Sequence, residues 1–316
     1  MSFLETAVSL ILLVVAADRI VEGSLGLSSK LGLSKVVVGV VILGFSGGLP
    51  ELTAAGLASF HRLGGVALGS VIGSITINTT LVLGVAALIR PIAIRSSLMK
   101  REGIIAAAAT VIFFAMALEG ISHLEAAIAL ALFVAVTIYL VMATSPADIE
   151  ELVEETTEAE TVQAARRKRL NLGPVGDLAV GLVLMIAAAE VLVLGINGLI
   201  HEFHIDQGIA GALLVATGAS IPELLNAIAA ARRNEPEIVV GNVLGAVLFN
   251  ATAVAGFAGI FHGALLSSGM RSFALPLMVV DVAACLTFLL TGGRLRRLEA
   301  AALLGLYVTS VIATAL

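Results

Sequence analysis

Apolar runs recur along the whole chain, separated by short polar stretches. At about 17–25 residues each, they match helices crossing a hydrocarbon core of roughly 30 Å. They predict ten spans near residues 4–20, 35–60, 64–88, 102–118, 124–143, 175–200, 208–231, 238–261, 272–293 and 298–315. No stretch alternates with period two, so the pattern points to helices and away from a β-barrel. The first run, Leu4 to Ala17, lacks a basic start and reads as a permanent helix, not a cleaved leader.

Composition sharpens this picture. Of 316 residues 59% are apolar and only 13% charged, and mean hydropathy is +1.08. A soluble domain needs more surface charge, so the lipid bilayer is the expected solvent and partner. No nucleic-acid partner is expected, and oligomeric state is left open. The single cysteine, Cys285, excludes an intramolecular disulfide.

Alternate loops differ sharply in charge. One set carries all the basic residues except Arg62 and Arg271, out of 18 Lys and Arg in the chain. The positive-inside rule puts that set in the cytoplasm. Both termini are then expected outside, in a multi-pass protein of the cell (inner) membrane. The longest loop, 145–172, places Glu150 to Glu160 early and Arg166 to Arg169 late. That order complements a helix dipole, so the loop reads as a solvated cytoplasmic helix joining two halves. Its acids lack EF-hand spacing.

A shift of 172 residues superimposes the halves without a gap. Asp18 falls on Glu190, Pro50-Glu51-Leu52 on Pro222-Glu223-Leu224, and Gly69, Gly73, Asn78 and Gly84 on Gly241, Gly245, Asn250 and Gly256. The expected organisation is therefore a first repeat at 1–144, the linker at 145–172 and a second repeat at 173–316. Five spans per repeat is an odd number, so the repeats must be inverted in the membrane. The fold class is an all-α membrane protein of ten transmembrane helices in two inverted five-helix repeats. Secondary transporters commonly use that plan and bind cargo at the midplane.

Both the second and the seventh span are interrupted at their centres, by Gly44-Phe45-Ser46-Gly47-Gly48-Leu49-Pro50-Glu51 and by Ala216-Thr217-Gly218-Ala219-Ser220-Ile221-Pro222-Glu223. Proline removes a backbone donor and frees upstream carbonyls. At membrane depth such carbonyls are tolerated only when buried in protein or facing a wet cavity. Glu51 and Glu223 lie far from the span ends, where an isolated charge costs at least ~2.5–3.5 kcal/mol. Paired around one Ca2+, both are neutralised, and Ca2+ accepts 6–8 flexible oxygen ligands. The bland alternative is a protonated pair that only holds helices together.

On the next span, Ser74 and Asn78 share a helical face, and Ala246 and Asn250 occupy the same offsets in the second repeat. The asparagines are ligands or interhelical hydrogen-bond glue. Gly69, Gly73, Gly241 and Gly245 form small-xxx-small stripes that allow close helix packing.

These residues resemble the cation/calcium antiporters, in their sodium/calcium exchanger branch. The resemblance rests on Gly47-Gly48-Leu49-Pro50-Glu51 with Gly69-Ser70-Val71-Ile72-Gly73-Ser74-Ile75-Thr76-Ile77-Asn78. It rests equally on Ala219-Ser220-Ile221-Pro222-Glu223 with Gly241-Asn242-Val243-Leu244-Gly245-Ala246-Val247-Leu248-Phe249-Asn250. It implies a diamond of sites around Glu51 and Glu223, flanked by Asn78 and Asn250, with Ca2+ also taking the carbonyls of Gly47 and Ala219. Flanking Na+ sites would use the Gly44 carbonyl with Ser74 and Glu51, and the Ala216 carbonyl with Glu223. It also implies that the first and sixth helices slide to switch access. No cofactor is held tightly; Ca2+ and Na+ (or H+) are the transported ions.

The chain departs from the family pattern where hydroxyls are usual. Gly47-Gly48 and Ala219-Ser220 stand for a Thr-Ser pair, leaving Ser220 as the one hydroxyl kept, and Ala246 replaces a serine. Ser46 and Thr217 are possible substitutes. Asp18 and Glu190 are expected to pair with neighbours. Asp281, inside the ninth span, has Ala109 as its counterpart and reads as a hydrogen-bonded residue or part of a proton path. Exchange of Ca2+ for Na+, exchange for H+, and a cation channel are the three readings. An enzyme is disfavoured, since no nucleophile, base and orienting group cluster.

Overall fold

The computed structural model describes residues 2–31, 48–93, 97–143, 172–233, 236–291 and 294–315. It opens with α1 (Ser2–Leu31) and α2 (Leu49–Phe60). α3 (Gly64–Thr76) continues through a π-helical turn (Ile77–Val82) into α4 (Leu83–Ile89). A short strand β1 (Ile92–Ala93) precedes α5 (Ser97–Glu119) and α6 (His123–Ala143). The second half starts with α7 (Pro174–Phe203). α8 (Gln207–Ala210), a π turn (Gly211–Val215) and α9 (Ala216–Ala219) lead into α10 (Ile221–Arg233). α11 (Pro236–Phe249), a π turn (Asn250–Val254) and α12 (Ala255–Gly259) form the next span. A π turn (Met270–Ala274), α13 (Leu275–Thr291), β2 (Arg294–Leu295) and α14 (Arg297–Ala315) complete the chain. Of the expected linker 145–172, only Leu172 lies among the described residues.

Among the described residues, seven helices are long and apolar enough to cross a membrane. There are eight with the pair Gln207–Ala219 and Ile221–Arg233, which is bent by 44°. The expected span 35–60 lies within the described residues only from Gly48 onward. The expected span 4–20 is too short: α1 runs to Leu31. The apolar run stops at Asp18-Arg19, where the helix continues and Arg19 forms an ion pair with Asp177 of α7.

α1 packs chiefly against α7, and the pair is antiparallel. Gly23 sits against Pro174 and Leu178 at the start of α7, while Gly195, late in α7, sits against Ser2 and Thr6. These two contacts exchange under the 172-residue shift, so equivalent helices of the halves run in opposite directions. The halves also interlock. Ile92 and Ala93 pair with Leu295 and Arg294, antiparallel, while Ile121 and Ala264 exchange two backbone hydrogen bonds of 2.8 and 2.9 Å. Accordingly α14, of the second half, packs on α4, and α6, of the first, packs on α12.

The centre is formed by α3–α4 and α11–α12, which are mostly buried, whereas α6 and α14 present Leu124, Ile128, Met142, Leu298, Val308 and Ile312 outward. The Gly69 and Gly73 stripe works as expected. A Cβ on Gly69 would meet the Gly208 backbone, and one on Gly73 would lie 2.6 Å from the Ala216 Cβ and 2.7 Å from the Ala212 Cα. Bare backbone at these points lets α3 lie directly on the bent helix. For the second stripe, Gly241 and Gly245, the counterparts of those partners lie at 36–44, outside the described residues.

Gly73→Leu is therefore expected to force α3 off the bent helix, at a cost of about 1–3 kcal/mol or more. Gly305→Ala, where nothing lies within 4 Å, serves as the control. Thermal unfolding of both variants in detergent checks this: a lower midpoint for the first and an unchanged or higher one for the second.

Candidate cation site

The bend in the seventh expected span falls at Ser220. Asp206 caps the entry to the span, its Oδ1 accepting from the backbone N–H groups of Gly208 and Ile209 at 2.8 and 3.2 Å. Past the π turn the helix runs on to Ser220, whose N–H donates to the Ala216 carbonyl at 2.9 Å. Pro222 then starts α10 at a new angle, with Glu223 in its first turn. The first repeat mirrors this arrangement: Gly48 caps α2, Pro50 lies in its first turn, and Glu51 follows. Each carboxylate is thus held at a helix N-terminus and accepts from its own backbone N–H. Unpaired N–H groups there favour negative charge.

Glu51 is 1% exposed and Glu223 3%. They come from opposite halves, yet the charge of Glu223 acts on Glu51. Oε2 of each has no hydrogen-bond donor among the described residues. Both asparagines are buried beside them in the sequence order of each repeat, and both do the same thing. Asn78 Nδ2 donates to the Ser74 carbonyl at 2.9 Å, and Asn250 Nδ2 donates to the Ala246 carbonyl at 3.0 Å. The donor end of each amide is therefore used within its own helix, and each Oδ1 is left buried without a partner. A π turn covers Asn78 and another starts at Asn250. Such bulges commonly mark functional positions in helices.

Ser74 and Ser220 meet across the halves, with 3.5 Å between their hydroxyl oxygens. Ala219 and Ala216 are buried on the upstream arm of the bend, while Thr217 is exposed. Gly44, Ser46 and Gly47 lie outside the described residues. On the pseudo-equivalent flank the hydroxyls are missing, as the sequence says, and an aromatic ring takes the space. A Cβ on Gly48 would land on the Phe249 ring, which itself stacks edge-on with Phe133 at 5.5 Å between centroids. Nothing in the sequence marked Phe249 for this place.

The other singled-out acids have partners. Glu190 meets His61 Nε2 at 2.8 Å, and Asp18 is also engaged. Asp281 accepts from the Ser310 hydroxyl at 2.7 Å, so the hydrogen-bonded reading of that residue is correct.

Comparison with known proteins places this geometry among relatives. The family profile described as sodium/calcium exchanger protein matches residues 1–143 and 174–316. The inner membrane protein YrbG of Escherichia coli (strain K12) is 32% identical over 252 residues, covering 79% of this chain and 76% of its own. The sodium/calcium exchanger MaX1 of Methanosarcina acetivorans is 26% identical, covering 98% of this chain and 97% of its own. A solved structure of the sodium-calcium exchanger NCX_Mj, soaked with zero Na+ and Ca2+, matches with a TM-score of 0.63 and 24% identity. It covers 98% of both chains and shows a shared fold.

The two asparagine roles make opposite predictions. If Oδ1 is a ligand, Asn78→Leu and Asn250→Leu remove a buried unpaired acceptor and one hydrogen bond. Ion-free stability should then change by about 1 kcal/mol or less, while stabilisation by added Ca2+ disappears. If the amides are only glue, the ion-free melting midpoint falls and the Ca2+ increment survives. Melting curves with chelator and with Ca2+ separate the two.

Proposed function

Because the chain belongs to the sodium/calcium exchanger family, we propose that it is a membrane antiporter that carries Ca2+ in exchange for Na+. Glu51 and Glu223 would bind the ions, backed by Asn78 and Asn250. One observation carries this reading. Four of the buried oxygens without a hydrogen-bond partner among the described residues belong to these two glutamates and two asparagines, two from each half. Hydrogen-bond glue would bring donors to such groups. An all-acceptor set calls for a cation.

The chemistry follows from charge balance. Two carboxylates carry two negative charges, which one Ca2+ cancels, and hard oxygen donors suit it. Ser74, Ser220 and the carbonyls of Ala216 and Ala219 supply further oxygens on the hydroxyl-bearing flank, and those of Gly44 and Gly47 complete the proposed set. Na+ ions displace Ca2+ by neutralising the same oxygens one charge at a time. An empty, doubly charged site is costly to occlude, so crossing with cargo is favoured over crossing without it, and the two fluxes are coupled. The antiparallel α1–α7 pair supports the inverted-repeat plan, in which access alternates between the two faces. In that arrangement the termini lie outside and the 145–172 linker lies in the cytoplasm.

One feature favours a second reading, exchange for H+. Gly48, Ala246 and the Phe249 ring leave one flank without side-chain hydroxyls, which weakens binding of several Na+ ions there. Protons need no such ligands.

Reconstituted vesicles test both. Uptake of 45Ca2+ is measured under an outward Na+ gradient, under a pH gradient, and under neither. The first reading expects uptake with Na+ only; uptake indifferent to both gradients removes the antiporter proposal. Glu51→Gln and Glu223→Gln should each lower exchange by at least 100-fold while the protein still inserts and purifies. Wild-type flux in either variant would overturn the assignment of the site.

A further inference from the structure

Outside the central site, one acid is buried without a compensating charge. Asp281 on α13 is 0% exposed. Its Oδ2 accepts from Ser310 on α14 at 2.7 Å, and Thr76 at the end of α3 is a neighbouring residue. Its Oδ1 has no partner, and no ion pair reaches it among the described residues. A lone carboxylate inside a membrane protein is costly unless a positive charge joins it.

Among the described residues, hydroxyls and no ion-pair partner surround it. Thr76 and Ser310 also line a small recess between α3, the bent helix and α14, whose remaining wall includes the hydroxyls of Thr217, Tyr307 and Thr314. Two residues that line the recess, Thr76 and Ser310, are thus also neighbours of Asp281. Thr314 donates back to the Ser310 carbonyl at 2.7 Å, which leaves its oxygen free to accept.

The repeat plan does not require this cluster. At the 172-residue shift, Asp281, Ser310, Thr314 and Thr76 correspond to Ala109, Ile138, Met142 and Leu248. All four counterparts are apolar. A polar group that merely filled a packing position would have the same reason to occur in both halves.

We propose that Asp281, Ser310 and Thr76 form a second cation site, off the pseudo-twofold axis, which takes one Na+. A single carboxylate cancels one positive charge. The neighbouring hydroxyl oxygens are hard, neutral ligands that suit a small alkali cation and that a bare proton has no use for. A divalent ion is disfavoured by charge, since a single carboxylate cancels only half of it. Thr76 lies between Ser74 and Asn78 on one continuous span. An ion at Asp281 therefore bears on the same helix as the central site. The site stands independently of the two-glutamate reading.

The test uses the full chain carrying Glu51→Gln and Glu223→Gln, purified in detergent, so that the central site is silent. Binding of 22Na+ is read by scintillation proximity, with K+ and choline as competitors. One saturable Na+ per protein is expected, insensitive to equal K+, lost on adding Asp281→Asn and weakened about tenfold by Ser310→Ala. Should Asp281→Asn not fold, Ser310→Ala with Thr76→Val reads the same loss. Absence of saturable 22Na+ binding in the silenced background overturns the proposal, as does its persistence in Asp281→Asn or in Ser310→Ala with Thr76→Val. Failure of Ca2+ exchange in vesicles would leave this binding result untouched, so the two readings fail separately.

Discussion

Two glutamates, one from each half, are buried inside the helical bundle, and Oε2 of each has no hydrogen-bond partner among the described residues. Most of the local architecture follows from holding that pair in place. Each glutamate needs a helix N-terminus in the middle of a span, which a continuous helix cannot offer, so the span must break. The break brings proline and small residues. Those in turn need a neighbour whose backbone can come close, which is why α3 presents bare glycine to the bent helix. The asparagines complete the arrangement by spending their donors within their own helices, so that only oxygen points inward.

The pseudo-twofold relation is kept where charge must balance and abandoned where it need not. Glutamates, prolines, asparagines and π turns recur at the same offset in both halves. Hydroxyls do not: Ser74 meets Ser220 on one side, while Gly48 meets the Phe249 ring on the other. The Asp281 cluster has no counterpart: Ala109, Ile138 and Leu248 stand at the shifted positions. Such asymmetry leaves the two otherwise matched flanks with different side-chain oxygens.

Much of this was legible in the sequence, for definite reasons. Span edges fall within a few residues of the helices because lipid length and charged loops bound them sharply. The glutamates and asparagines were visible because they recur in register, and the bend because Pro222 follows a run of small residues. α1 runs past its apolar stretch, and its ion pair of Arg19 with Asp177 was hidden because no local pattern reveals a partner in the other half. Phe249 against Gly48 and Ser310 against Asp281 are likewise contacts between distant segments. Each residue looks ordinary in its own stretch, and only the packing of helices makes it meaningful.

The paired strands have a further consequence, for biogenesis. Ile92 and Ala93 find their partners only in residues 294 and 295, and Ile121 finds its own in Ala264. During synthesis the early half must therefore wait in the bilayer with these edges open until nearly the whole chain has emerged. Interlocked in this way, each half on its own would lack these backbone partners. A cut within the linker is expected to be survivable only when both fragments are made together.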